Sequence, residues 1–231
     1  MLWQPNATSQ TTKTAIDMMK NFTIAGATGL VGNNIVHQLA ARGDKPVALA
    51  RRKIKDLPTN AELLEVDFRQ FLINGELPQC DHLYLCLGTT IQAAGSRDAF
   101  RTVDFEYSLA VAKKALAAGA TGVSLVSSVD ANANSKNFYL RTKGQLEEAI
   151  KALGFSSVNI YRPGILIGDR PESRLLEGLG KILFQVIDPF LLGYLSQYRS
   201  IQANLLASTM IDNTDQYAGV NYFYFKDFNT D

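Results

Sequence analysis

Three glycines spaced three residues apart follow a short apolar run near the start of the chain. The run over residues 22–26 has the length and composition of a buried strand, and Gly26, Gly29 and Gly32 lead directly into a helix-like pattern. A helix N-terminus that opens in this way offers backbone N–H groups and a positive dipole end to an anion. The first glycine permits the turn, the second lets the backbone approach phosphates, and the third lets the helix pack against the strand. The spacing therefore predicts a dinucleotide-binding turn.

The rest of the chain alternates between strand-like and helix-like patterns. This alternation is typical of an α/β fold, a doubly wound parallel sheet with helices on both faces. Ligands in such sheets bind beyond the carboxyl ends of the strands. We predict a flexible N-terminal arm over residues 1–20, then a single domain over residues 21–231 with a small C-terminal extension on the substrate side. The predicted strands cover residues 22–26, 46–50, 63–66, 82–87, 123–127, 157–161 and 220–225, and the main helices 30–42, 98–118, 138–153 and 200–211.

Composition narrows the function classes. The 23 Lys and Arg residues nearly cancel the 22 Asp and Glu residues, so the chain has no overall basic field that would favour nucleic acid. The two cysteines, Cys80 and Cys86, indicate a reducing compartment. Residues 1–20 contain neither the apolar core of a secretory signal nor arginine, which argues against a transit peptide, so we expect a cytoplasmic protein. Charged and proline residues interrupt the apolar stretch 178–198, which favours a buried helix over a dimer face or membrane contact.

Two arginines, Arg51 and Arg52, end the second predicted strand, about 20 residues after the glycine turn, where NAD-selective sites usually carry an acidic residue. A guanidinium can fork onto a ribose 2′-phosphate, so we predict NADP(H) over NAD(H), the alternative being a solvated basic loop. Asp67 follows the third strand, where it either accepts from the adenine amino group or caps the helix over residues 68–73. The remaining residues predicted to contact the cofactor are Gly26, Thr28, Gly29, Leu30, Val31, Gly32, Leu87, Gly88, Thr89 and Ser127.

A candidate catalytic set follows the fifth predicted strand. That strand ends in Ser127 and Ser128, and the next helix pattern carries Tyr139 and Lys143. Residues at i and i+4 share one helix face, so the phenol and the ammonium point together toward the strand ends. A lysine cation beside a phenol stabilises the phenolate, which can exchange a proton with a hydroxyl or a carbonyl. The Ser128 hydroxyl can polarise the same oxygen, and Lys143 can also hold the nicotinamide ribose.

Over residues 22–177 the chain resembles the atypical branch of the short-chain dehydrogenase/reductase superfamily. Segments 86–90, 127–128, 137–144, 161–165 and 169–174 look like the Tat-interacting-protein group. The resemblance implies a Rossmann fold, bound NADPH, catalytic positions at Ser128, Tyr139 and Lys143, and Arg162 and Pro163 along the nicotinamide end. One departure is Asp104, which stands near the position where many extended relatives carry asparagine, and which puts a water-mediated proton relay in doubt.

The favoured interpretation is an NADP(H)-dependent oxidoreductase acting on a small carbonyl or alcohol. An NADPH-loaded regulatory or protein-binding module is the main alternative, and a nucleotide-sugar epimerase or dehydratase is a third. We expect a small-molecule substrate, no metal, no nucleic acid and no transmembrane segment, with a homodimer or a protein partner as open alternatives. Arg170, Glu172 and Arg174 either line the substrate mouth or form a surface salt-bridge cluster.

Overall fold

A computed structural model of the chain describes residues 20–168 and 191–228. Three predicted features fall outside these ranges: residues 1–19 of the predicted N-terminal arm, the candidate mouth residues Arg170, Glu172 and Arg174, and most of the apolar stretch 178–198.

The central feature of the described structure is a seven-stranded sheet in which every pair of neighbouring strands is parallel. The four central strands of the order are apolar and almost wholly buried, as expected for strands covered on both faces. The predicted doubly wound α/β fold is confirmed. In chain order the strands of this sheet are β1 (Phe22–Ala25), β2 (Val47–Ala50), β3 (Glu62–Glu65), β4 (His82–Leu85), β5 (Gly122–Val126), β6 (Ser157–Tyr161) and, after two short strands described below, β9 (Gly219–Phe223).

Helices cover both faces of the sheet. Two of them, α1 (Leu30–Ala41) and α7 (Ala203–Asp212), pack their apolar stripes on one face. The other face is covered by α2 (Phe68–Asn74), α5 (Ser108–Ala117) and α6 (Phe138–Lys151), and two short helices, α3 (Ile91–Ala94) and α4 (Arg97–Arg101), precede α5.

The strand order is β3-β2-β1-β4-β5-β6-β9. The chain therefore builds outward from β1 on one side, returns, and adds β4 on the other side of β1. This reversal is the topological switch point, and a crevice forms beyond the carboxyl ends of the strands that flank it.

Two elements differ from the sequence expectation. The single helix predicted over residues 98–118 is interrupted between α4 and α5 by a π-helical segment, Thr102–Tyr107. The helix predicted over residues 200–211 begins at Ala203, because Ile201–Gln202 forms a short strand, β8, that pairs with β7 (Leu166–Ile167). The sequence pattern does not show either difference. A π turn only shifts the phase of the apolar pattern, and a two-residue strand is too short to have a period.

Candidate functional site

A cleft of about 1790 Å³ opens beyond the carboxyl ends of the strands around the switch point. The glycine turn after β1, the end of β2 and the loop after β4 all contribute to its walls. The π-helical segment closes the opposite wall through Thr102, Val103 and Tyr107. The cleft brings together most of the residues that the sequence assigns to the cofactor: Gly26, Thr28, Gly29, Arg51, Arg52, Asp67, Leu87, Gly88 and Thr89 all line it.

The glycine turn has a geometry that other residues could not adopt. Gly26 has a φ of +85°, and a Cβ there would lie 2.5 Å from the carbonyl oxygen of Cys86. A Cβ at Gly32 would lie 2.4 Å from the carbonyl oxygen of Gly26, so this glycine lets α1 start against the turn. Gly29 is the N-cap of α1 and brings no side chain to that end. Val31 is buried in the core, and Leu30 packs against the Gly168 position. The start of α1 is thus shaped to receive an anionic group.

The end of β2 is basic. Arg51 and Arg52 are exposed at the cleft, and a second, adjoining pocket of about 670 Å³ is lined by Arg52, Lys53 and Lys55 together with His37. The end of β2 therefore presents cations to the cleft.

Asp67 caps α2. One carboxylate oxygen accepts from the backbone N–H of Arg69 at 2.8 Å and of Gln70 at 3.4 Å. The helix-capping alternative is therefore the one observed, although the exposed carboxylate still borders the cleft.

Lys143 lies behind the loop that follows β4. Its ammonium forms an ion pair with Asp104 Oδ1 at 2.8 Å, and both side chains are buried. The other oxygen of Asp104 accepts from the backbone N–H of Thr89 at 2.8 Å. A Cβ on Gly88 would lie 3.6 Å from Asp104 Oδ1 and 3.7 Å from Lys143 Nζ, and Gly88 itself lines the cleft. The ion pair therefore lies directly behind the cleft wall at this point.

The charge state of Lys143 follows from two opposed effects. Burial alone would lower the pKa of Lys143, but the Asp104 carboxylate, helped by Tyr139 and Glu147, more than offsets it and raises the pKa above 10.5. Burial also raises the pKa of the nearby Cys86 thiol to about 12, against the opposing effect of the Lys143 charge. The site thus holds a cationic lysine beside a neutral thiol.

The other two members of the candidate catalytic set, Tyr139 and Ser128, are positioned by a ring contact and by a hydrogen bond to the backbone. Tyr139 is half-buried on the same helix face as Lys143 and packs its ring on Phe100, with 5.6 Å between ring centroids. The Ser128 hydroxyl donates to the carbonyl of Val129 at 3.1 Å. The structure therefore joins Tyr139 and Lys143 on one helix and gives Ser128 a backbone partner; the assignment of all three as catalytic stays a prediction.

Ser127 and Arg162 meet in a buried network centred on Glu147. The Ser127 hydroxyl donates to Glu147 Oε1, and Arg162 donates to both carboxylate oxygens, at 3.0 Å from Nε and 2.5 Å from Nη2. Arg162 Nη1 also donates to the Tyr224 hydroxyl at 3.0 Å. These side chains tie α6 to the ends of β5 and β6. Pro163 extends the tie, because its carbonyl accepts from the N–H of Val129 at 3.0 Å.

The sequence does not reveal the buried partners of two candidate residues, Lys143 and Arg162. Asp104 was singled out only as a departure from related sequences, and Glu147 was not singled out at all. A charged residue at an apolar phase of a helix is the signal that could have marked either one, because a buried charge requires a partner.

Two features of residues 20–168 and 191–228 concern membranes and metal ions. Within these ranges no helix is both long enough and apolar enough to span a bilayer. In the same ranges, no group of three or more His, Cys, Asp or Glu side chains is arranged to hold a metal ion.

Similarity to known proteins agrees with this geometry. A family model described as NAD(P)H-binding matches residues 26–180. Protein FMP52, mitochondrial, of Candida albicans is 36% identical over 171 residues, which are 71% of this chain and 73% of that protein. Protein HTATIP2 of Rattus norvegicus is 33% identical, with coverage of 71% of this chain and 70% of that protein.

Solved structures with low sequence identity share the fold. A UDP-glucose 4-epimerase of Thermotoga maritima, solved with UDP-glucose, aligns with a TM-score of 0.66 and 14% identity, covering 88% of this chain and 76% of that one. The human epimerase family protein SDR39U1, solved with NADPH, aligns with a TM-score of 0.59 and 16% identity, covering 88% of this chain and 74% of that one.

The same comparisons correct one expectation. The FMP52 proteins of Candida albicans and Saccharomyces cerevisiae are both named mitochondrial. The expected cytoplasmic location is therefore wrong, because it rested on composition and on the absence of arginine in residues 1–20 rather than on any positive signal.

The glycine turn, the cleft at the switch point and these relatives lead to one assignment. The chain belongs to the NAD(P)H-binding Rossmann proteins of the atypical short-chain dehydrogenase/reductase family, together with FMP52 and HTATIP2.

Proposed function

We propose that the protein is an NADP(H)-dependent oxidoreductase that acts on a small carbonyl or alcohol. The observation that carries this proposal is the position of the Lys143 ammonium, directly behind Gly88 of the loop that lines the same cleft as the glycine turn. Such a turn can hold the pyrophosphate of a nicotinamide cofactor, and the cation can support a phenol that exchanges a proton with the substrate. The cofactor, when bound, supplies the hydride.

Three side chains would carry out the proton transfer and position the substrate. Tyr139 would give a proton to the carbonyl oxygen or take one from the alcohol. Lys143, one helical turn further, would stabilise the phenolate and hold the ribose. Ser128 would polarise the substrate oxygen, which requires its hydroxyl to leave the Val129 carbonyl and donate to the substrate instead.

Preference for NADP(H) is supported by the exposed Arg51 at the end of β2. A guanidinium matches a 2′-phosphate in shape and charge, whereas it gains little from a 2′-hydroxyl. Charge-assisted hydrogen bonds of this kind contribute about 1.5–3 kcal/mol each, which corresponds to about a 10- to 100-fold difference in affinity.

The test is calorimetric titration with NADPH and NADH, side by side, on nucleotide-free protein. Wild type should prefer NADPH, and Arg51→Ala should lose most of that preference by losing NADPH affinity alone. Lys45→Ala is the matched control, since Lys45 is exposed just before β2, at the opposite end of the strand. Equal affinity for both cofactors in wild type would refute the NADP(H) assignment, and no binding of either would remove the oxidoreductase proposal.

Turnover is tested separately with Tyr139→Phe. This change should lower the rate of NADPH oxidation with a carbonyl substrate by about 100-fold or more while NADPH affinity is kept. If the variant turned over at the wild-type rate, Tyr139 would have no part in the chemistry.

A second candidate function is an NADPH-loaded binding or regulatory module with little turnover. The observation that favours it is the Asp104–Lys143 ion pair, because a carboxylate at 2.8 Å cancels much of the field that Lys143 exerts on Tyr139. This candidate predicts NADPH binding without substrate-dependent oxidation across a panel of small aldehydes and ketones. Turnover of any of them at a rate of about 1 per second or faster would exclude it.

A mitochondrial location is proposed from the names of the FMP52 relatives. Fractionation of cells that express the full chain with a C-terminal tag should recover it with mitochondria. Recovery in the soluble cytosolic fraction alone would refute this.

A further inference from the structure

We propose that Asp104 is the positioning residue of this site, which holds Lys143 as a fixed cation and ties it to the cofactor loop at Gly88 and Thr89. The inference deepens the proposed function, because it concerns the lysine that the proposed reaction uses. Nothing in the likeness to known proteins assigns a role to this carboxylate.

The contacts of Asp104 connect three separate parts of the chain. Asp104 stands in the π-helical segment Thr102–Tyr107 and is completely buried. One of its oxygens pairs with Lys143 of α6 at 2.8 Å, and the other accepts from the Thr89 N–H at 2.8 Å. A single carboxylate therefore fixes the distance between the lysine-bearing helix and the loop that lines the cleft.

The π-helical segment explains how a buried carboxylate reaches this place. A π turn carries one extra residue per turn and is frequent at functional sites. The residues on either side of Asp104 are only half-buried, and two of them, Thr102 and Val103, line the cleft. The segment thus directs one carboxylate inward to Lys143 while its neighbours form the wall of the cofactor cleft.

The surroundings of Lys143 make Asp104 the dominant anion. The groups that face the ammonium are Asp104 from the π segment, Tyr139 and Glu147 from its own helix, and the Cys86 thiol at the end of β4. Glu147 is engaged by Arg162 through both of its oxygens, and the Cys86 thiol stays neutral. Without Asp104, burial would favour loss of the proton from Lys143.

The first test follows Lys143 itself, in protein free of cofactor, so its result does not depend on turnover. Protein labelled with ¹³C at lysine Cε is titrated by NMR, and the Lys143 signal is assigned from its loss in Lys143→Met. In wild type this signal should not titrate below pH 10.5, whereas in Asp104→Asn its midpoint should fall below that value. The reason is that asparagine keeps an oxygen for the Thr89 N–H but removes the charge.

Asp81→Asn is the matched control for this experiment. Asp81 also accepts two hydrogen bonds, both from Asn21, but it precedes β4 at the opposite end of the strand from the cleft. Its loss should leave the Lys143 titration unchanged. A Lys143 signal in Asp104→Asn that behaves as in wild type would overturn the proposal, as would an equal change in Asp81→Asn.

Cofactor affinity supplies an independent readout. Asp104→Asn should weaken NADPH binding by about 10-fold, since the ribose-holding lysine loses the charge that fixes its position. Unchanged affinity would refute the link between this ion pair and cofactor binding. If both cofactors fail to bind even wild type, the proposed function fails, while the lysine titration still decides the role of Asp104.

A second variant covers the case in which Asp104→Asn does not fold. Replacing both partners, Asp104→Asn with Lys143→Met, removes both buried charges, so the double variant should be more stable than Lys143→Met alone, which leaves the carboxylate unpaired. A double variant no more stable than Lys143→Met would show that the two side chains are not coupled and would overturn the proposal.

Discussion

Gly144→Ala provides a direct test of how tightly α6 must pack for the site to form. A Cβ at this position would lie 2.3 Å from the backbone nitrogen of Ala133 and 2.3 Å from the carbonyl carbon of Asn132. Ordinary Cβ contacts begin near 3.4 Å, so the helix or the loop has to move by about 1 Å. Because both neighbours are backbone atoms, no change of rotamer can relieve the contact.

Two opposed effects set the size of the change. Alanine favours a helix interior over glycine by up to about 1 kcal/mol. Overpacking of a rigid contact costs about 1–3 kcal/mol, and the backbone partners place this case toward the upper end. The overpacking therefore wins, and we expect Gly144→Ala to lower the free energy of unfolding by about 1–2 kcal/mol. NADPH affinity should fall as well, because Lys143 moves with the helix away from Asp104.

Urea unfolding and NADPH calorimetry measure the two effects, and Gly88→Ala is the matched control. A Cβ on Gly88 would make only ordinary contacts, at 3.6 Å from Asp104 Oδ1 and 3.7 Å from Lys143 Nζ. This variant should keep its stability within about 0.5 kcal/mol, since the new methyl group would make only these ordinary contacts. A Gly144→Ala protein as stable as wild type would show that helix propensity outweighs the contact, and the reasoning would be refuted.

Two further predictions concern stability. Burial lowers the pKa of His82 from 6.5 to about 4, so the stability it contributes is complete above pH 6.5 and falls by about 3 kcal/mol as the pH drops toward 4. His82→Gln, which can still bond to Ser124, should lose this part of the pH dependence, whereas the exposed His37→Gln should keep it; identical pH profiles of urea unfolding would contradict the prediction. Glu147→Gln leaves Arg162 without its carboxylate and should cost about 3 kcal/mol in urea unfolding, and a cost under about 1 kcal/mol would show that the pair is not a structural tie.

The strands and the order of elements could be read from the sequence because buried parallel strands must be continuously apolar. The glycine turn could be predicted equally well, because a Cβ is excluded both at the sharp turn after β1 and at the close start of α1. The basic end of β2 could be located for the same reason, because its distance from the turn is fixed by one strand–helix–strand unit.

Side-chain partners across the fold could not be read in this way. The sequence places Ser127 and Arg162 among the predicted cofactor residues, but it does not show that both bond to Glu147, which lies on a helix between them in sequence. Asp67 was compatible with two roles, and only the positions of the Arg69 and Gln70 N–H groups distinguish them. Such contacts depend on how a helix is rotated against the sheet, which the phase of an apolar pattern gives only approximately.

The two buried ion pairs of α6 lie one helical turn apart and differ in how far their charges are shielded from water. Glu147 and Arg162 tie the helix to β6, and the arginine is still reached by water, with 18% of its side chain exposed. Asp104 and Lys143 are 0% and 7% exposed, so both charges are desolvated almost completely. Apolar side chains of similar size would join the same elements at least as well, because burying an ion pair rarely adds stability. A completely buried pair that borders the cleft through a single glycine is therefore explained by its position rather than by stability. Packing α6 against the π segment needs no charge, whereas the role proposed for Lys143 behind the Gly88–Thr89 loop requires one.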